Sequence, residues 1–349
     1  MREINRACPI RADFTFFFDR APCFFGWPDA VFDRHLYLGG FRDDELCAYF
    51  LFGWARGYTG AGWGAFYYGG DARVLPSERG HRFTERAAAH AIAVDPRSLA
   101  LGFCLVKRGN TSARQVMDRL AIPSIRVRRL CAFEAANVLV LRPLGEPRRC
   151  KVRRAQVEDL PAMAKLMARA YEGRLFAPAC TDEDLSDDVR RLPGFSVGDF
   201  YLAHVGSELV GVMGAWDAGA VRRTTVLGFS PRGHAIRLAH RAARLWLRRS
   251  APLPRPGESF RTVTTTRVAV PSGDPAILRD LLAVLHDDLL GTGVHMIHVG
   301  FAGDDPLRPA MKGIPFQSFV SDVDLLEWAE APPLGAAATA RPYLDLRWI

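Results

Sequence analysis

Few stretches of this chain carry side chains suited to chemistry, and most of them fall between Tyr67 and Cys104. Tyr67, Tyr68 and Asp71 belong to one run of strand-forming residues. Arg79, Gly80, His81 and Arg82 follow it, and an amphipathic segment comes next. A phenol or a carboxylate can move a proton. A basic, glycine-containing loop that enters a helix offers positive charge and backbone N–H groups to an anion. His81 and Cys104 are weaker proton-transfer candidates. No Ser, His and Asp stand in an order that suggests a triad, and no Cys/His group has metal-ligand spacing. The seven cysteines are scattered, without a CxxC pair, and read as buried free thiols.

The elements that must position these residues come in two similar sets. Residues 36–41 are an apolar run, 42–44 a polar turn and 45–50 a second apolar run. Residues 200–205, 206–207 and 208–213 repeat that pattern, and the Glu45-Leu46 and Glu208-Leu209 pairs lie 163 residues apart. Each is a hairpin signal, and one domain length between them points to duplication. After the first hairpin the pattern predicts a strand over 65–75, a helix over 77–94, a strand over 99–106, a helix over 111–120, and strands over 124–133 and 137–141. After the second it predicts strand 263–270, helix 275–290, strand 295–301, helix 306–312 and strand 316–326. A strand over 151–155 and a helix over 160–171 open the second set, whereas residues 1–33 read as irregular. Residues 142–149 read as a linker, 331–341 as a mobile Ala/Pro-rich tail, and 343–349 as a final edge strand. The expected class is α/β with a mixed sheet, in two tandem units over 1–145 and 146–349.

At 349 residues the chain suits two domains, and 49% hydrophobic residues suffice for two cores. No apolar run spans a bilayer and no signal pattern opens the sequence, so a cytoplasmic protein without a membrane partner is expected. The net charge is +8, but only four lysines occur, so arginine supplies the excess and the chain reads as coding-biased. That charge carries little weight for nucleic acid. An arginine-rich helix over 235–249, with Leu238, Ala242, Leu245 and Trp246 along one side, is expected to pack by that side and leave its arginines in water. It reads as an insertion before the central strand of the second unit.

The run Asp71-Ala72-Arg73-Val74-Leu75-Pro76 and the loop Arg79-Gly80-His81-Arg82-Phe83-Thr84 together resemble the central strand and phosphate loop of the GNAT (GCN5-related) N-acetyltransferases. In that family a strand ending in V-x-P passes through R/Q-x-x-G-x-G/A into a helix. Arg79 and Gly80 fit the fuller R-G-x-G-x-G form, whereas Arg82 and Thr84 replace the first glycine and the last Gly/Ala. Arg82 stands either to crowd a pyrophosphate or to clamp it. Asn110-Thr111-Ser112-Ala113 resembles the family's N-x-x-A beside the pantetheine arm, and Asn110 is equally a good N-cap. After Pro271 the second unit has Ser272-Gly273-Asp274-Pro275, which lacks the loop and reads as a helix cap.

The resemblance implies transfer of an acyl group from acetyl-CoA or another acyl-CoA to the amine of a small molecule or amino acid. It implies cofactor contacts from Val74, Leu75, Arg79, Gly80, His81, Arg82, Phe83, Thr84 and Asn110. The family's usual glutamate base falls at Tyr68, with Asp71 as the nearest carboxylate, and the usual tyrosine acid falls near Met117. Tyr68 and Asp71 are therefore the catalytic candidates, with strand alternation placing them on opposite faces. A degenerate binding protein and an aminoacyl-tRNA-dependent transferase remain alternatives, and a homodimer is compatible with the sequence. The glycine- and aromatic-rich segment 53–70 is expected over the acceptor side, as an acceptor pocket or a contact between units.

Overall fold

The computed structural model describes residues 1–95, 100–120, 124–335 and 341–349. Residues 336–340 of the expected mobile tail, and Leu99 at the start of an expected strand, lie outside them. The first half runs α1 (Arg2–Ala7), β1 (Phe14–Asp19), α2 (Gly26–Val31), β2 (Arg34–Arg42), β3 (Glu45–Tyr58), β4 (Trp63–Val74), α3 (Phe83–Val94), β5 (Leu101–Lys107), α4 (Thr111–Asp118) and β6 (Ile125–Leu139). The second runs β7 (Lys151–Arg154), α5 (Leu160–Tyr171), α6 (Asp182–Arg191), β8 (Phe200–Val205), β9 (Glu208–Trp216), β10 (Arg223–Phe229), α7 (Pro231–Ala243), β11 (Ser259–Phe260), β12 (Thr262–Ala269), α8 (Pro275–Leu289), β13 (Met296–Ala302) and β14 (Phe316–Trp328).

Among the described residues eleven strands form one sheet, in the order β2-β3-β4-β5-β14-β6-β13-β12-β9-β8-β7. The two halves exchange their last strands. β14 pairs antiparallel with β5 of the first half, β6 pairs antiparallel with β13 of the second, and the two long strands pair with each other at the centre. Each half therefore completes the other's sheet. The sequence suggested two strands over 124–141; the structure has the single β6, because no turn residue interrupts the pairing through Phe133–Asn137.

Within each half the parallel pair is short. β4 meets β5 only through Tyr67–Gly69 against Gly102–Cys104, and β12 meets β13 only through Thr262–Thr264 against Met296–His298. Beyond those residues the strands part. One core on one face spans both halves, joining Phe66, Phe103 and Phe133 to Met163, Phe176 and Trp348. The amphipathic α8 covers the other face of the second half with Ile277, Leu281 and Leu285, each worth about 1.5–3 kcal/mol on burial. α3 and α4 cover the other face of the first half through Ala91, Ile92 and Met117.

Several expectations change. Residues 1–33 are ordered: β1 pairs with β10 in a separate small sheet, β1-β10-β11, which takes β10 out of the main sheet. The helix expected from 77 starts at Phe83, because Gly80 and Arg82 take positive φ and break the helical path. The helix expected over 306–312 is a 3-10 turn, Arg308–Met311. Residues 343–349 form no edge strand; apolar Tyr343, Leu344 and Trp348 bury themselves together with the paired Asp345 and Arg347, and Trp348 is 1% exposed. Only three of the seven free cysteines are buried, and Cys23 is exposed.

Candidate active site

Both central strands carry a bulge at the point where the parallel pair ends. In β4, Asp71 and Ala72 stand opposite the single residue Phe50, and Asp71 takes φ +48°. In β12, Arg267 and Val268 stand opposite Met213, and Arg267 takes φ +52°. A bulge adds one residue and reverses the alternation beyond it. Tyr68 and Asp71 consequently share a face, which corrects the expectation of opposite faces. Gly70 permits this: a Cβ there would lie 2.1 Å from the Tyr68 hydroxyl, so only glycine lets that ring fold back over the strand.

The Asp71 carboxylate is engaged. Arg20 donates to Oδ2 at 2.7 Å and the Tyr37 hydroxyl donates to the same oxygen at 3.1 Å. The Arg20 and Asp71 side chains are 2% and 7% exposed, and Arg20 lies over Trp27 and Phe24. Arg222 stands next to this group, its guanidinium 3.9 Å from the Phe18 ring centre, with Nη1 donating to the Ile349 carbonyl. Burial and the neighbouring Arg20 pull Arg222 down to about 10. Burial and the Asp71 carboxylate push the Tyr68 phenol up to about 12. Tyr68 stacks parallel to Phe32. Among the described residues no group of acids, histidines and cysteines can hold a metal ion.

The loop after β4 is open. Val74, Leu75, Phe83 and Thr84 are half-buried, while Arg79, Gly80, His81 and Arg82 are exposed. Gly80 has φ +103° with nothing near its missing Cβ. Arg82 takes the left-handed conformation at the N-cap of α3, and no side chain caps that helix. Its first N–H groups therefore have no side-chain acceptor among the described residues. Glu78, in the same loop, binds Arg42 at 3.0 Å, and Arg82 pairs with Glu85 at 3.5 Å. Asn110 is the N-cap of α4 and accepts from the Ala113 N–H at 3.1 Å, so its local role is complete without a ligand. Cys104 is buried against Met117 at 3.7 Å, and burial raises its thiol far above its ordinary value.

The corresponding place in the second half is filled. Asp274 caps α8 by accepting from Ala276 and pairs with Arg149 at 2.7 Å. Tyr343 and Leu344 enter the gap between β12 and β13 and leave a cavity of about 30 Å³. Arg267 and Arg347 clamp the buried Asp188 at 2.6 and 2.7 Å. Asp345 accepts from Thr266 at 2.8 Å and from the Arg267 N–H at 3.1 Å.

The aromatic segment 53–70 divides between roles. Gly57 and Tyr58 meet the backbone of Phe176 and Ala177, and Phe66 packs on Phe176 and Trp348, so this part joins the two halves. Trp54 and Tyr67 face α3, and Trp63 is exposed. Sequence reasoning missed Arg20, Tyr37 and Arg222. Arg20 sits in the segment read as irregular, and Arg222 precedes a strand of the small sheet; neither carries a local pattern.

Splayed central strands, a bulge, and a loop-to-helix junction at the strand end define the architecture. The fold is that of the GNAT acyltransferases. A GCN5-related N-acetyltransferase from Sphaerobacter thermophilus is similar over 87% of this chain and 80% of its own, with 13% identity and a TM-score of 0.50. The N-myristoyltransferase of Saccharomyces cerevisiae, solved with bound myristoyl-CoA, is similar over 92% of this chain and 73% of its own, with 10% identity and a TM-score of 0.57. No family model and no curated protein matches the sequence.

Proposed function

We propose that the chain is an acyl-CoA-dependent N-acyltransferase whose transfer site lies at the bulge of β4. The observation that carries this is the uncapped N-terminus of α3, reached through Arg79, Gly80, His81 and Arg82 at the end of a half-buried central strand. Its free N–H groups and the two arginines suit a pyrophosphate. Val74 and Leu75 would flank the pantetheine arm, Phe83 and Thr84 the phosphates, and Asn110 would hold the start of α4 beside them. The first unit, 1–145, takes the cofactor; the second, 146–349, closes the acceptor side through Arg222 and residues 343–349. The acceptor is read as the amine of a small molecule or amino acid. Acetyl-CoA is the simplest donor, and the fold likeness extends to an enzyme solved with a long-chain donor.

The chemistry falls to few side chains. With its pKa at about 12, Tyr68 stays protonated at neutral pH; as the amine nitrogen bonds to the thioester carbon and the C–S bond breaks, it can donate to the departing thiolate and regain a proton from the new amide nitrogen. Asp71, which accepts from both Arg20 and Tyr37, serves to hold Tyr37 in place. The thioester carbonyl needs a fixed donor, and a backbone N–H exposed by the bulge can supply it.

The test is thermal melting of the full chain with acetyl-CoA, longer acyl-CoAs and tRNA. A rise in midpoint with a CoA ester, absent in Gly80→Val, is expected. No shift with any CoA ester would sink this reading, and a shift with charged tRNA alone would favour an aminoacyl-tRNA-dependent transferase.

A further inference from the structure

The insertion α7 sits the opposite way from its expected packing. It was expected to bury Leu238, Ala242, Leu245 and Trp246. Instead Gly233 is the buried residue, pressed so close to the backbone that a Cβ would lie 2.0 Å from the Asp13 carbonyl. Ser230 caps the helix through the Gly233 N–H and donates its own N–H to Asp13. Arg237 lies over the Phe229 ring at 4.3 Å, and Arg244 and Leu247 are half-buried on the same side. This docking turns the apolar side outward: Leu238 is 71% exposed, Leu245 69% and Trp246 81%. Arg232, Arg241, Arg248 and Arg249 are exposed around them.

Along the sequence the charge here is one-sided, although Asp13, from the segment before β1, pairs with Arg232 at 3.7 Å. From Ala218 to Gly257 the sequence holds nine arginines and no acid. Among the described residues, Arg241 and Arg248 form no ion pair. A helix and its following turn, with Leu238, Leu245 and Trp246 outward and rimmed by arginines, match an interfacial segment that sinks its apolar side to the headgroup boundary while its cations meet lipid phosphates. A second copy of the chain would bring two arginine arrays face to face, which like charge opposes. An RNA backbone would satisfy the arginines but give Leu238 and Leu245 nothing to bury against.

We propose that α7 and the turn after it dock the protein on an anionic phospholipid surface. This departs from the expectation of no membrane partner, and the association is peripheral: among the described residues no helix is long and apolar enough to cross a bilayer. The proposal does not rest on the transfer reaction.

Co-sedimentation of the full chain with vesicles of phosphatidylcholine, and of phosphatidylcholine mixed with phosphatidylglycerol, tests it. Binding is expected to the mixed vesicles, weakened by salt. The exposed triple variant Leu238→Gln/Leu245→Gln/Trp246→Gln is expected to keep its melting temperature and lose on the order of tenfold or more in partitioning. Arg241→Gln/Arg248→Gln should lose less, and only on anionic vesicles. No binding to the mixed vesicles, or binding unchanged in the triple variant, overturns the proposal. So does a dimer that the triple variant dissociates, or single-stranded RNA binding that the triple variant leaves intact while vesicles fail.

Discussion

The two central strands kink at equivalent places, and their surroundings then diverge. Past Asp71, β4 stays half-buried and ends in an open, uncapped loop. Past Arg267, Val268 is half-buried, Ala269 and Val270 are buried, and the chain leads to a helix capped by Asp274. Both bulges bind a buried ion pair, but with reversed polarity: a carboxylate on β4 meets Arg20, and a guanidinium on β12 meets Asp188. The two halves thus share a sheet geometry in which the central strands part, while the terminal segments differ in how they meet it. Residues 343–349 plug the second; residues 1–33 line one face of the first.

The largest expected effect lies in the plugged half. Asp188→Ala strands two buried guanidinium groups and should cost about 3–5 kcal/mol in urea unfolding, with the acyl-CoA affinity of the remaining folded protein unchanged. Burial raises the Asp188 pKa, but Arg267 and Arg347 outweigh it and hold the pKa below the ordinary carboxylate value. Its contribution is therefore fully present above about pH 4, the unfolded value, and fades as pH falls through the lower folded value. Asp188→Ala should flatten that acid limb of the stability profile.

In the open half the effect should be on rate. Tyr68→Phe is expected to lower kcat by about 100-fold if the phenol acts as the acid. The wild-type kcat should show no tyrosine ionisation below about pH 10, because the group is held near 12. An unchanged kcat in Tyr68→Phe would mean the thiolate leaves unaided. Gly80→Val forces a side chain into φ +103° and so strains the loop that leads into α3. Acyl-CoA affinity should fall on the order of tenfold or more, read by calorimetry. The smallest effect is the matched control: Asp274→Ala removes the cap of α8, costing about 1 kcal/mol of stability and no CoA affinity.

Much of the fold was legible because its signals are local. Both hairpins, the 2.0 and 3.6 periodicities, and the prolines that end the central strands all follow from neighbouring residues. The strand exchange of β6 and β14 was not legible, since pairing partners some 190 residues apart leave no mark on local pattern. The bulge at Asp71 was hidden for a related reason. Gly69-Gly70 marked an irregularity, but its effect on alternation depends on how Phe50 pairs across the sheet. Arg20 and Arg222 reach the site from elements whose sequences are ordinary. The orientation of α7 was misjudged because amphipathicity identifies an apolar side without saying what it meets; the close approach at Gly233 decides that.

The central claim is that one cleft, and only the first, takes the acyl donor. Calorimetric titration of the full chain with acetyl-CoA and myristoyl-CoA tests it directly. One site per chain, lost in Gly80→Val and retained in Asp274→Ala, is the predicted result. Two sites per chain, or a single site that survives Gly80→Val, would contradict it.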